Sequence, residues 1–410
     1  MKKLLLFGAG KIGRSFIAPI FENAGYATEF ADIDPGVVGL INSLGEYTVS
    51  ILDSNHPEKE TVYTVKNISA VLLSDREHIM ESVSEADLIV TSVGKRGLAS
   101  LVDIIARGLK SRFEDGDRGP VNIIFAENIK DASGFFRGEI IKVLPGFPLD
   151  EYVGLVETSI GKMVPIMTGE RLKKDPLGIF AEPYNTLIVD ESGFIKGVPD
   201  VPGLAPKKNM KAWVDRKIFI HNLGHAVLAY QANFKDPSLR YTWEALKDSA
   251  LEKATRDTML QSAKILIARY PDEFTEKQLK NHIDDLLDRF SNRALGDTIF
   301  RVGCDLGRKL NIDDRLMIPI LAGRETGKGY SLILDSWVKA CFFKARDENG
   351  AFHPNDDAFR LAFEENPERI LSEHCKLDSR KYADIYWQVE KTVKKLYPAF
   401  IATTKSLKGR

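Results

Sequence analysis

Residues 1–14 read Met1-Lys-Lys-Leu-Leu-Leu-Phe-Gly8-Ala9-Gly10-Lys11-Ile12-Gly13-Arg14. An apolar strand runs into a glycine-spaced turn, and the turn opens a helix. The glycines fit G-x-G-x-x-G: Gly8 permits a tight turn, Gly10 lets the backbone approach a pyrophosphate, and Gly13 lets the helix pack on the strand. Free N–H groups at the helix start favour an anion there. Gly8, Ala9, Gly10, Lys11, Ile12 and Gly13 are therefore the expected diphosphate cradle. A second strand, Ala27-Thr-Glu-Phe-Ala-Asp32, ends in an acid at the spacing this motif requires. Asp32 is expected to accept from both adenosine ribose hydroxyls. Ile33-Asp34-Pro35-Gly36 supplies no Arg or Lys for a 2′-phosphate. The expectation is a dinucleotide site that takes NAD(H) rather than NADP(H).

A chain of 410 residues calls for two domains. Lys plus Arg (57) nearly balances Asp plus Glu (58), so no net field points to nucleic acid or an anionic membrane. The apolar start stops at Gly8 and is followed by Lys11 and Arg14, which is not the pattern of an export signal. No apolar run approaches the length of a bilayer span. Cys304, Cys341 and Cys375 form no C-x-x-C pair. Reduced thiols in a cytoplasmic protein, with no thiolate zinc site, are expected.

After Asp32, strands and helices alternate. Glu85–Gly94 is predicted as a strand ending in a small-residue turn, Leu98–Leu109 as a helix, and Val121–Asn128 as a strand buried on both faces. Such alternation implies a doubly wound, mostly parallel sheet: an α/β Rossmann-like N-terminal domain over 1–200. Ligands bind beyond the carboxyl ends of such strands. Gly8, Asp32, Ser92, Val93, Gly94 and Asn128 all fall at predicted ends. Short strand-like pieces follow between Val153 and Asp190. Gly197–Pro206 is rich in Pro and Gly, is predicted to lack regular structure, and is taken as the connection between domains. Beyond it, Met210–Ala232, Thr242–Tyr270, Glu276–Phe290, Asp335–Arg346 and Tyr382–Leu396 have helical period, so 201–410 is expected to be a mostly α-helical domain.

Within the first of these helices, Lys217, His221 and His225 step about 40° apart at α-helical spacing and form one polar stripe, with Asn222 at its edge. Three roles compete for it. Lys217 could snorkel to solvent with the histidines satisfied in the core. His221 and His225 could be an i, i+4 metal pair, although Asn222 stands where a catalytic acid would be required and no third ligand is evident. Lys217 could be a general base, with Asn222 donating to an alkoxide-like oxygen and His225 holding a neighbouring hydroxyl.

Lys217-x4-Asn222-x2-His225 resembles the K-x4-N-x2-H signature of the zinc-independent, polyol-specific long-chain dehydrogenases, the mannitol dehydrogenase family. Phe7–Ile17, Phe30-Ala-Asp32, Thr91-Ser-Val-Gly94, Glu127-Asn128, Val164-Pro165, Arg289-Phe-Ser-Asn292 and Arg308-Lys-Leu-x3-Asp314-Arg315-Leu are similar to further family motifs, in order. The resemblance implies Lys217 as base, Asn222 and Asn128 as the oxyanion hole, and His225, Arg289 and Asn292 as substrate contacts. It also implies NAD, no metal, a small polyol or sugar-phosphate partner, and a monomer rather than a dimer. Lys11 and Arg293 depart from the pattern, which commonly has Asn and Pro there. The compact length is similar to members acting on mannitol 1-phosphate and fructose 6-phosphate. A phosphate would find partners among Arg289, Arg293, Arg301, Lys309, Arg315, Arg324 and Lys328. Alternatives are a hexuronate reductase, a free-polyol dehydrogenase, or a nucleotide-sensing regulator without turnover.

Overall fold

The computed structural model describes residues 1–116, 118–165, 173, 175–195, 197–366 and 369–408, with side chains through 398. Two compact units emerge, Met1–Val214 and Asp215–Arg410.

Among the described residues the first unit has eleven strands: β1 (Lys2–Phe7), β2 (Tyr26–Asp32), β3 (Tyr47–Ile51), β4 (Thr61–Val65), β5 (Ile68–Leu72), β6 (Leu88–Thr91), β7 (Val121–Phe125), β8 (Val153–Ser159), β9 (Ile179–Ala181), β10 (Leu187–Asp190) and β11 (Leu204–Lys207). Eight form one sheet in the order β11-β10-β8-β7-β6-β1-β2-β5. Every pairing is parallel except β10 against β8. β4-β3-β9 make a smaller sheet. Alternation along β1 builds both faces of the large one. Leu4 and Leu6 join a core with Phe16, Ile20 and Phe30, while Leu5 and Phe7 join Ile79, Ile105, Phe125 and Phe136. A sheet covered on both faces needs such continuous apolar strands. This is the expected Rossmann-like, mostly parallel α/β architecture.

The Pro-rich stretch corrects one expectation. Leu204–Lys207 is a strand, pairing Val189 with Pro206 at the sheet's edge. An edge strand tolerates the missing proline N–H because one side of it has no partner strand.

The second unit is helical. Leu223–Lys235 is buried nearly all round and lies among Ser249–Arg269, Ile299–Gly303 and Ser331–Cys341. A helix apolar on every face belongs at a core's centre. A Cβ at Gly224 would lie 2.6 Å from Met259 Cε, so glycine sets that close helix approach. Three predicted spans are corrected. Thr242–Tyr270 divides into Thr242–Ala245 and Ser249–Arg269, because Asp248 accepts from Ala250 N and Leu251 N and caps a new helix. The helix predicted over Asp335–Arg346 is Ser331–Cys341. The helix predicted from Met210 is interrupted by a π turn, Lys217–Asn222.

Gly13 makes the closest approach to backbone among the described glycines of the first unit, since a Cβ there would lie 2.1 Å from Gly8 O. Gly13→Ala is expected to destabilise the chain by about 1–3 kcal/mol, the usual cost of overpacking. A lowered thermal midpoint checks this; an unchanged one contradicts it.

Candidate active site

Register sets four strand ends level. Phe7 pairs with Ala31 and Thr91, and Thr91 with Phe125. Gly8, Asp32, Ser92 and Ala126 therefore follow side by side. β1 stands where the strand order reverses, the place where open parallel sheets take ligands. Gly8 has φ +101°, and a Cβ on it would lie 2.4 Å from Ser92 O. Gly10 differs: nothing lies within 4 Å of a Cβ built there, so the protein's own packing leaves that side of the turn open.

The loops around this point are tied together by carboxylates. Asp32 Oδ2 accepts from Ala9 N at 2.7 Å and Oδ1 from Asp34 N at 3.0 Å. Glu127, buried after β7, accepts from Val93 N at 2.9 Å and Gly94 N at 2.8 Å. Asn128, next along, is exposed. Arg14 donates from Nε to Ala9 O at 2.8 Å and from Nη1 to Leu177 O, while its own carbonyl accepts from Tyr47 Oη. Lys11 is exposed at the start of a helix over 11–22 whose middle, Gly13–Ile17, is itself a π turn. Open space at Gly10, a tied acidic residue at Asp32 and a helix start fit a dinucleotide.

In the second unit, the π turn changes the expected stripe. Leu223 N donates to Ile218 O, a bond spanning five residues instead of four. The wider turn brings residues five apart onto the same side, so Asn222 moves from the stripe's edge toward Lys217. His225 follows on regular α-helix, stacked on Phe290 with ring centroids 4.6 Å apart and planes 7° from parallel. His221 lies 5.8 Å from Phe290 and 6.4 Å from His225, centroid to centroid. Among the described residues no group of three or more His, Cys, Asp or Glu is placed to hold a metal ion.

Charge is concentrated here. Burial first, then Arg315, brings the Lys217 ammonium down to about 8. Burial first, then Arg289, His225, Lys217 and His282, pushes His221 well below the usual imidazole range. Burial first, then Arg301, Arg315, Lys309 and Arg289, does the same to His225. Lys309 donates to Val302 O at 2.6 Å and is itself brought down to about 8 by burial and Arg315. Arg315 bonds Asp314 Oδ1 at 2.7 Å.

The structure sorts the sequence's candidates. Arg289 is buried in the last turn of helix Glu276–Ser291, 3.4 Å from Asp285. Asn292 is buried and its Oδ1 accepts from Ala294 N at 3.0 Å, a capping role. Arg289, Arg301, Lys309 and Arg315 all act on His225. Arg293 instead lies 4.8 Å over the Trp243 ring, which gives this departure from the family pattern a packing partner. Arg324 pairs with Asp384, and Lys328 is exposed. Two acids had no sequence expectation of a structural role: Glu127, which holds the Val93–Gly94 turn, and Asp297, 3.1 Å from His225 Nε2. The i, i+4 spacing of Asp297 and Arg301 was the available signal for the second.

The profile of the mannitol dehydrogenase Rossmann domain matches residues 2–203, and that of the mannitol dehydrogenase C-terminal domain matches 209–396. Among solved structures, the Pseudomonas fluorescens mannitol 2-dehydrogenase ternary complex with NAD and D-mannitol is similar over 100% of this chain and 94% of its own, with 15% identity and a TM-score of 0.75. A D-sorbitol dehydrogenase in substrate-free form is similar over 97% of this chain and 94% of its own, with 16% identity and a TM-score of 0.78. At such identities these likenesses speak for the fold, while the two domain matches speak for the family. This chain belongs to the mannitol dehydrogenase family.

Proposed function

We propose that the chain is a zinc-independent, NAD-dependent dehydrogenase interconverting a sugar alcohol and a ketose, with mannitol 1-phosphate and fructose 6-phosphate as the pair. The observation that carries this is Lys217, brought down to about 8 on a π turn that also presents Asn222. The NAD and D-mannitol held by the Pseudomonas fluorescens relative support the same cofactor and substrate class. Arg289, Arg301, Lys309 and Arg315, gathered around His225, favour an anionic substituent.

Gly8–Gly13 would hold the diphosphate, Asp32 the adenosine ribose, and Ser92–Gly94 the approach to the nicotinamide. When bound, the cofactor supplies the two-electron acceptor or donor. Lys217 Nζ takes the hydroxyl proton as the carbinol carbon is oxidised, and returns it on reduction. Asn222 and Asn128 donate to the substrate oxygen as it gains charge. His225 holds a neighbouring hydroxyl, and Arg289 and Asn292 orient the rest of the polyol.

Initial rates with NADH against fructose 6-phosphate, fructose, tagaturonate and fructuronate test the substrate. Highest kcat/KM on a hexuronate would replace the sugar-phosphate reading. NAD(H) is expected to exceed NADP(H) in kcat/KM, because Asp32 repels a 2′-phosphate; equal efficiency would remove that role.

Lys217→Ala is expected to lower kcat by about 10²–10⁴-fold, the range of general acid–base catalysis. NADH affinity, followed by fluorescence titration, should stay within a small factor of the parent. A folded variant with the parent rate would sink the mechanism.

The pH dependence has a definite sign. Alcohol oxidation needs neutral Lys217, so its kcat/KM should rise with pH and level off above about 8. Ketose reduction needs the ammonium and should decline through the same range. Profiles in both directions, at saturating cofactor, check the pair.

A further inference from the structure

We propose that Asp297 is a positioning residue acting through His225: its carboxylate takes the Nε2–H, fixes that tautomer, and leaves Nδ1 to accept from a substrate hydroxyl. This rests on the reading of His225 as a substrate contact.

Asp297 Oδ2 lies 3.1 Å from His225 Nε2, with side chains 4% and 15% exposed respectively. Both atoms are buried, and neither makes an aligned hydrogen bond to any described residue, each other included. Each is therefore the other's natural partner, and a small rotation of the imidazole completes the bond. Polar atoms left unpaired in a core cost too much to be retained for packing. Arg301, four residues on, pairs with Oδ1 of Asp297 and sets a guanidinium against the buried carboxylate.

The backbone holds this arrangement in place. Thr242 N donates to Asp297 O at 3.0 Å, and Thr242 Oγ1 reaches both Asp297 O at 3.3 Å and Phe290 O at 3.1 Å. One threonine thus anchors the carboxylate that meets an edge of the imidazole and the phenylalanine that covers its face. The groups facing the ring are Asp297, His221, Phe290 and the cations Arg289, Arg301, Lys309 and Arg315. Burial among those cations keeps the ring neutral, so it carries one N–H. A carboxylate can only accept, so that hydrogen sits on Nε2.

A merely structural Asp297, bridging from the loop before Ile299–Gly303 to Arg301 on that helix, would leave the tautomer of His225 unspecified. The test reads the tautomer directly. The full-length chain is prepared with 15N-labelled imidazoles, and His225 is assigned by difference against His225→Gln. The parent should show a protonated Nε2 and a bare Nδ1 between about pH 6 and 8. An Nδ1–H tautomer, or an imidazolium in that range, overturns the proposal. Neither outcome requires turnover, so this result stands apart from any failure of the Lys217 reading, and it needs no variant of Asp297 to fold.

Kinetics supply the second arm. Asp297→Asn should lower kcat/KM for fructose 6-phosphate by about tenfold, the scale of one charge-assisted hydrogen bond, mainly through KM. NADH affinity should be unchanged. The double variant with His225→Gln should be no worse than His225→Gln alone, since both remove one contact. Independent, multiplying losses would show that Asp297 does not act through His225.

Discussion

Between Gly8 and Gly13 two backbone segments meet with no room for a side-chain atom. The first unit's ligand-facing edge depends on that contact. It brings the first helix against the end of β1, and parallel register then carries the alignment to β2, β6 and β7. Asp32 and Glu127 extend it from backbone to carboxylate, each holding N–H groups of a loop that leaves the sheet. A single steric condition thus places three loops, and carboxylates hold two of them. Because the partners are main-chain amides, the geometry tolerates wide change in the side chains around it.

In the second unit a different constraint applies. The central helix is buried on nearly every face, so a polar group on it must be matched by a neighbour or kept for chemistry. One extra residue in the turn at Lys217–Asn222 moves two polar side chains together without breaking the helix. π turns of this kind recur at functional sites because an uninterrupted α-helix of the same length would be more stable.

Much of this was legible in the sequence, for physical reasons that differ by element. Gly8, Gly13 and Asp32 announce themselves because turn sterics and strand ends restrict residue choice locally. β11 was missed because proline breaks strands everywhere but at edges, and being an edge is a property of the whole sheet. The π turn was missed because a stripe counted at 100° per residue assumes the regular helix it is meant to test. The Asp297–His225 contact joins residues far apart in the chain through packing that Thr242 and Phe290 complete. Nothing local marks Asp297 as the partner of an imidazole. Its spacing to Arg301 marks only half of its environment.

The proposed acid–base assignment rests on how these surroundings divide the titrating groups. Histidine is ordinarily the side chain that changes charge near neutrality, and three of them, His221, His225 and His282, lie in this region. Burial and neighbouring guanidinium groups drive all three down, His282 to about 3. The same forces act on Lys217 from a higher starting point and leave it at about 8. The displacement corresponds to roughly 3 kcal/mol against the ammonium, too little to strip the proton at neutral pH but enough to make its release cheap. The environment therefore exchanges the usual roles. The imidazoles become fixed neutral hydrogen-bonding groups; of the two lysines brought to about 8, Lys309 donates to Val302 O, and Lys217 is the one the proposed mechanism uses to gain or lose a proton near neutrality. Where surroundings push neighbouring groups apart in this way, the one left near the working pH is the proton carrier.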